Sequence, residues 1–173
     1  MLSQPSTAAS AAVKARTVAA ALDAGVRRDV LAVAAHEVGH GLAWAHAGFA
    51  AGPARVETGL FGGPCGASCK HGASGRLNES NVVGFLIGCA AGRAGQHLFT
   101  ARYLGGRDVG ATGDDAARDR GDFDYSERYY RTGLSWAAAQ RHATALLRPR
   151  LARVERLAVR LAVTGRLSRT DFR

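Results

Sequence analysis

His36, Glu37 and His40 form an HExxH sequence, His36-Glu37-Val38-Gly39-His40, inside an Ala/Leu/Val-rich stretch that reads as helix. Residues four apart on a helix share a face, so both imidazoles can reach one metal ion. Glu37 lies about 100° round the helix from His36, placed to act on a water that the ion activates. Such chemistry calls for zinc, which polarises a carbonyl and brings the pKa of its water to ~7.

A catalytic zinc usually keeps three protein ligands and one open position. Downstream of His40 the third ligand could come from His46, His71, His97 or His142, or from Asp114, Asp115, Asp119, Asp122 or Asp124. Spacing alone does not choose among them. His46 fits the last position of an HExxHxxGxxH pattern, but Ala43 stands where that pattern needs glycine. Cys65, Cys69 and His71 could be part of a structural zinc site, although no fourth ligand stands near them; a Gly-rich loop with reduced thiols is the simpler reading. His97 reads as a packing or surface histidine, or as a hydrogen-bond partner of a ligand.

The elements that must position these groups are mainly helical. Residues 11–22 suit a short amphipathic helix. Asp29 is a plausible N-cap for the helix that carries HEVGH to about His46, with Gly48 as its stop. Gly39 and Gly41 cost this helix roughly 1 kcal/mol each relative to alanine, which suggests close approach to its backbone. Residues 54–61 read as a strand at a sheet edge, and residues 62–75 as a Gly-rich loop. Asn78 or Ser80 starts a strongly apolar helix running to about Phe99, expected in the centre of the core. Residues 104–121 read as a polar loop, with another helix beginning at Phe123. Two further helical segments follow Ser135, divided near Pro149. Leu151, Val154, Leu157, Ala158, Leu161 and Ala162 form the apolar stripe of the last one, which Gly165 ends.

The 173 residues suffice for one core, and a hydrophobic content of 47% argues against global disorder. Residues 1–28 form an N-terminal segment, partly flexible or a short helix, and residues 29–173 the domain proper. The net charge of +9 comes almost wholly from arginine, since Lys14 and Lys70 are the only lysines. No basic run is interleaved with aromatics, so nucleic acid is not an expected partner. Arg148, Arg150, Arg153, Arg156 and Arg160 read as a solvated helix face, or as a surface for an acidic partner. The longest apolar run, residues 82–91, is short of the ~20 residues a membrane span needs. An odd number of cysteines and the lack of a signal-peptide core point to the cytoplasm.

HEVGHGLAWAHAG resembles the HEAGHA-type helix of the FtsH-type zinc metalloprotease domain. Gly92-Arg93-Ala94-Gly95-Gln96-His97-Leu98-Phe99 is similar to that family's GGRAAEEL-FG segment, with Gln96-His97 in place of its paired glutamates. Residues 161–167 (LAVTGRL) resemble its last helix and glycine turn. The likeness spans about residues 30–168. It implies a mainly α, helical zincin-like metallopeptidase domain with a small edge strand or hairpin. It also implies an aspartate opening a helix as third zinc ligand. In register that residue is Asp122, with Asp124 as the alternate. Either carboxylate at the helix N-terminus is favoured by the helix dipole.

The expectation is therefore a stand-alone, ATP-independent zinc metalloendopeptidase. His36, His40 and Asp122 would hold the metal, and Glu37 would be the general base. Its substrate would be an unfolded or extended peptide, aligned by edge pairing near Val56 or supplied by a separate unfoldase. The rival is a non-catalytic, metal-containing binding module whose basic C-terminal helix contacts a protein or nucleic acid. Glu37 favours the enzyme, because a structural metal site does not need it.

Overall fold

A computed structural model of the chain describes residues 15–60, 62–72, 77–106 and 113–173, the side chains of 113–116 excepted. Of the helix expected at residues 11–22, residues 11–14 lie outside them; in the described part the helix begins only at Val18, as α1, Val18–Asp23, capped by the Thr17 hydroxyl. Val18 and Ala21 are buried in the common core.

The architecture is mainly helical with a three-stranded antiparallel sheet. Helix α2, Arg28–His46, is its axis and is buried from Val30 to Trp44. Ala, Val and Leu occupy every side of that stretch, so it can be covered all round. The helix begins one residue before Asp29, with Arg27 at the cap position. Asp29 sits in the first turn, accepts from the Val30 N–H at 2.9 Å and pairs with Arg27. There its charge complements the helix dipole. Gly48, at φ +85°, lets the chain leave α2 as expected.

Helix α3, Val82–Tyr103, packs along α2 and is the second buried helix. The two approach closely because glycines face each other. A Cβ on Gly39 would stand 2.3 Å from the Ala91 carbonyl oxygen, and one on Gly95 would stand 3.0 Å from the Gly39 Cα. The ring of Phe172 fills the space over Gly41, where a Cβ would lie 2.2 Å from Cε1. Both glycines of α2 thus answer to a neighbour pressed on the backbone, as their cost in a helix suggests.

Helix α4, Gly113–Tyr130, begins ten residues before the expected start at Phe123. Its polar composition hides it: of its described side chains, only Phe123 and Ser126 are fully buried. Helices α5, Trp136–Leu147, and α6, Leu151–Thr164, are separated by a 3-10 turn at Arg148–Arg150 that contains Pro149. Val154, Leu157, Ala158 and Leu161 of the expected stripe are buried in α6, which ends at left-handed Gly165.

The sheet has the order β2-β1-β3, with β1 Ala50–Thr58, β2 Pro64–Gly72 and β3 Arg166–Leu167. The strand around Val56 is therefore central, not an edge, and most of the expected loop at 62–75 is β2. Strand β1 pairs Val56 with Ala67 on one side and Ala54 with Leu167 on the other. The sequence of β2, PCGASCKHG, has no β-branched residue; backbone pairing to β1 makes it a strand. Among the described residues, no helix is long and apolar enough to cross a membrane.

Candidate metal centre

The two histidines of α2 point their Nε2 atoms at one spot, 3.0 Å apart. Each is turned there by what holds its other nitrogen. His40 Nδ1–H donates to the Gly88 carbonyl at 2.8 Å, and His36 Nδ1–H donates to Gln96 Oε1 at 3.3 Å. Both acceptors lie on α3, so the packing of α3 on α2 sets tautomer and ring orientation together. Trp44 stacks on His40 with ring centroids 5.0 Å apart and closes one side.

The third group is Asp119. Its Oδ2 lies 3.0 Å from His36 Nε2 and 3.1 Å from His40 Nε2. Among the described residues, these three form the one group of His, Cys or carboxylate side chains whose ligand atoms converge closely enough to hold a metal ion. Burial pushes the Asp119 carboxyl up, but in the absence of a metal the charge and hydrogen bonds of protonated His40 and His36 outweigh it and hold the group well below the usual carboxylate range.

The donor set fits a cation. With both Nδ1 atoms donating, each Nε2 presents a lone pair, and the carboxylate presents another. Three such atoms in mutual contact repel unless a positive charge stands between them. Gly92 keeps the space beside them free: a Cβ there would lie 2.3 Å from His40 Nε2 and 2.6 Å from His36 Nε2.

The expected third ligand Asp122 lines the same cavity but is not one of the converging group. Its alternate Asp124 faces outward and pairs with Arg120 at 2.8 Å. The correction follows from the earlier start of α4. At about 100° per residue, Asp119 stands four residues before Phe123 and shares its buried face, whereas Asp124 lies about 140° away. The face that presents Asp119 runs on through Phe123 and Ser126 to Tyr130, which is half-buried. That periodicity is present in the sequence and selects Asp119 once the helix is extended backwards; a helix opened at Asp122 cannot show it.

The remaining candidates lie elsewhere. His46 is at the far end of α2, His97 faces a groove between α3 and α5, and His142 is exposed on α5. The side chains of Asp114 and Asp115 lie outside the described ones. Cys65, Cys69 and Cys89 are free thiols, and Cys65 and Cys69 do not gather with His71 into a second group.

A cavity of about 260 Å³ opens on the three donors. Glu37, 4% exposed, stands on its wall beside His36 and His40. The opposite wall is β2, from which five consecutive residues, Ala67 to His71, line the space. Successive side chains of a strand alternate faces, so a run of five means that the backbone edge of β2 borders the cavity. That edge pairs with no other strand among the described residues. Lys70 and Arg118, both exposed, stand at the mouth.

The electrostatics of the walls follow from burial. Cys69 is raised far above an ordinary thiol, first by burial and then by the charge of Glu37. His71 packs edge-on against Trp44 and Phe85. Burial lowers its pKa, with the Asp122 charge acting the other way, so it is neutral in neutral solution. A comparison with protein-family models, curated proteins and solved structures finds no match for this chain.

Proposed function

We propose that this protein is a zinc-dependent metallopeptidase. His36, His40 and Asp119 would hold the ion, Glu37 would act as the general base, and the fold would be a helical zincin-like one. The observation that carries the reading is the joint placement of three converging donors and a buried glutamate on one cavity wall, bordered by the free edge of a strand. Two imidazoles and a carboxylate form a donor set that catalytic zinc accepts. Zinc bound there would polarise the scissile carbonyl and acidify water in the cavity.

The chain's own groups supply the rest. Glu37 takes a proton from the attacking water as its oxygen adds to the carbonyl carbon. It then returns that proton to the amine as the C–N bond breaks. The edge of β2 offers backbone N–H and C=O groups to an extended peptide, which aligns the scissile bond along the cavity. An unfolded or extended segment is the substrate this edge admits. A separate unfoldase could deliver it, and Lys70 and Arg118 at the mouth would favour acidic residues near the cut. The likeness of HEVGHGLAWAHAG and Gly92–Phe99 to the FtsH-type protease domain supports the same reading.

The rival, a metal-containing module without catalysis, needs no proton acceptor beside the donors, where Glu37 stands on the cavity wall. Glu37→Gln separates the two. The variant should keep its metal and its melting temperature, and lose roughly 10²–10⁴-fold in cleavage of an unfolded protein such as casein. A wild-type protein that carries stoichiometric zinc yet cleaves no unfolded substrate would favour the module.

A further inference from the structure

A second cavity, of about 380 Å³, lies where the end of α2, the start of β1, the Arg148–Arg150 turn and the closing 3-10 turn Arg169–Phe172 meet. Its floor is apolar, built from Leu42, Ala51 and Phe172, with half-buried Phe49 beside them. Its walls carry Arg150, Arg153, Arg169 and Arg173, and among the described residues no Asp or Glu side chain lines it.

What these guanidinium groups touch is informative. Arg150 Nη1 donates to the Leu146 carbonyl at 2.7 Å, and Arg169 Nε donates to the Gly52 carbonyl at 3.1 Å. Arg153 Nη2 donates to the carbonyls of Asp171 at 3.2 Å and Arg173 at 2.5 Å. The acceptors of Arg150 and Arg169 are neutral peptide carbonyls, so these two cations are positioned without being neutralised, whereas Arg153 also donates to the oxygen of Arg173, the last residue. The nearby acid, Asp171, turns its carboxylate away to Arg160 at 2.6 Å and to Ser168. Arg150 and Arg153 are half-buried rather than part of a fully solvated helix face.

We propose that this cavity binds a small phosphate monoester. Planar guanidinium forks match phosphoryl oxygens, and hydrogen bonds between the two are charge-assisted. Four guanidinium groups, two of which donate only to neutral carbonyls, call for more than the single charge of a carboxylate. A phosphate monoester carries nearly two charges at neutral pH. The aromatic floor of Phe49 and Phe172 would take the apolar part of the ester. The site stands apart from the metal centre and does not depend on the peptidase reading.

Calorimetric titration of the full chain with phenyl phosphate, in chloride buffer of matched ionic strength, tests this. Inorganic phosphate, benzoate and an eight-residue oligothymidylate serve as parallel probes. Saturable one-to-one binding of phenyl phosphate is expected, tighter than inorganic phosphate or benzoate. The double variant Arg150→Gln/Arg173→Gln should weaken it by about tenfold or more. Arg93→Gln/Arg141→Gln, in the groove between α3 and α5, should leave it unchanged. If the double variant fails to fold, Arg169→Gln alone should still weaken binding several-fold. No saturable binding, equal affinity in a folded variant, benzoate binding as tightly, or binding of the oligonucleotide alone would each overturn the proposal.

Discussion

Asp119 Oδ2 stands 3.0 Å from His36 Nε2, a contact between residues 83 apart in the chain. It ties α4 to α2 and makes the third donor a consequence of how α4 is rotated. Asp119→Ala should therefore abolish stoichiometric metal, because two imidazoles hold an ion poorly. Asp122→Asn and Asp124→Asn should stay close to wild type in a competition against a chelating dye. Loss of metal in Asp122→Asn with full retention in Asp119→Ala would refute this rotation of the helix.

The glycines between α2 and α3 should be intolerant of a single methyl group. Gly39→Ala would drive a Cβ to 2.3 Å from a backbone oxygen that cannot swing aside. A loss of about 1–3 kcal/mol or more is expected in denaturant unfolding. Gly92→Ala would press instead on the two imidazoles, so it should reduce metal binding beyond its effect on stability. Gly121, on an exposed part of α4, has nothing within 4 Å of its would-be Cβ. Gly121→Ala should stabilise by about 0.5–1 kcal/mol. A neutral Gly39→Ala would mean that the helices lie further apart.

Acid stability of the metal-free protein should depend on Asp119. Its carboxyl is lowered in the folded state, burial being outweighed by the His40 and His36 imidazoles. The unfolded chain takes up the proton first, near pH ~3.9. The ionised group's contribution is thus complete above that value and is lost as pH falls through the lower folded one. Urea unfolding midpoints should drop across that acid window in the wild type and drop less in Asp119→Asn. Identical acid slopes in the two proteins would contradict the pairing.

Thiol reactivity should separate the three cysteines. Burial raises Cys89 well above its ordinary value, with Asp119 and Asp122 adding to it; burial and then Glu37 do the same to Cys69. A raised pKa means less thiolate at a given pH. Iodoacetamide at neutral pH should label exposed Cys65 first, with Cys69 and Cys89 following slowly until the protein is unfolded. Peptide mapping by mass spectrometry reads the order, and rapid labelling of Cys69 in folded protein would show that β2 does not hold it in the wall.

Local periodicity made part of this protein legible from its residues alone. His36 and His40, four apart in an Ala/Val/Leu-rich run, had to share a helix face. The apolar stretch from Val82 to Ala91 had to face the core, and it does so apart from exposed Val83 and half-buried Gly84 and Ile87. Gly39 and Gly41 announced close neighbours, and Gly165 a helix end. The other features draw their stability from partners distant in the chain and carry no local signal. Strand β2 has no strand signal of its own and exists through its ladder with β1. Strand β1 is central because β3 returns more than a hundred residues later to pair with its other side. Helix α4 starts at Gly113 although its sequence is almost wholly polar: its inward face gives the core little more than Phe123 and turns Asp119 to the two histidines. So few apolar residues do not mark where the helix begins, and so the face that Asp119 shares with Phe123 and Ser126 could be read only once the packing of α4 against α3 showed its start.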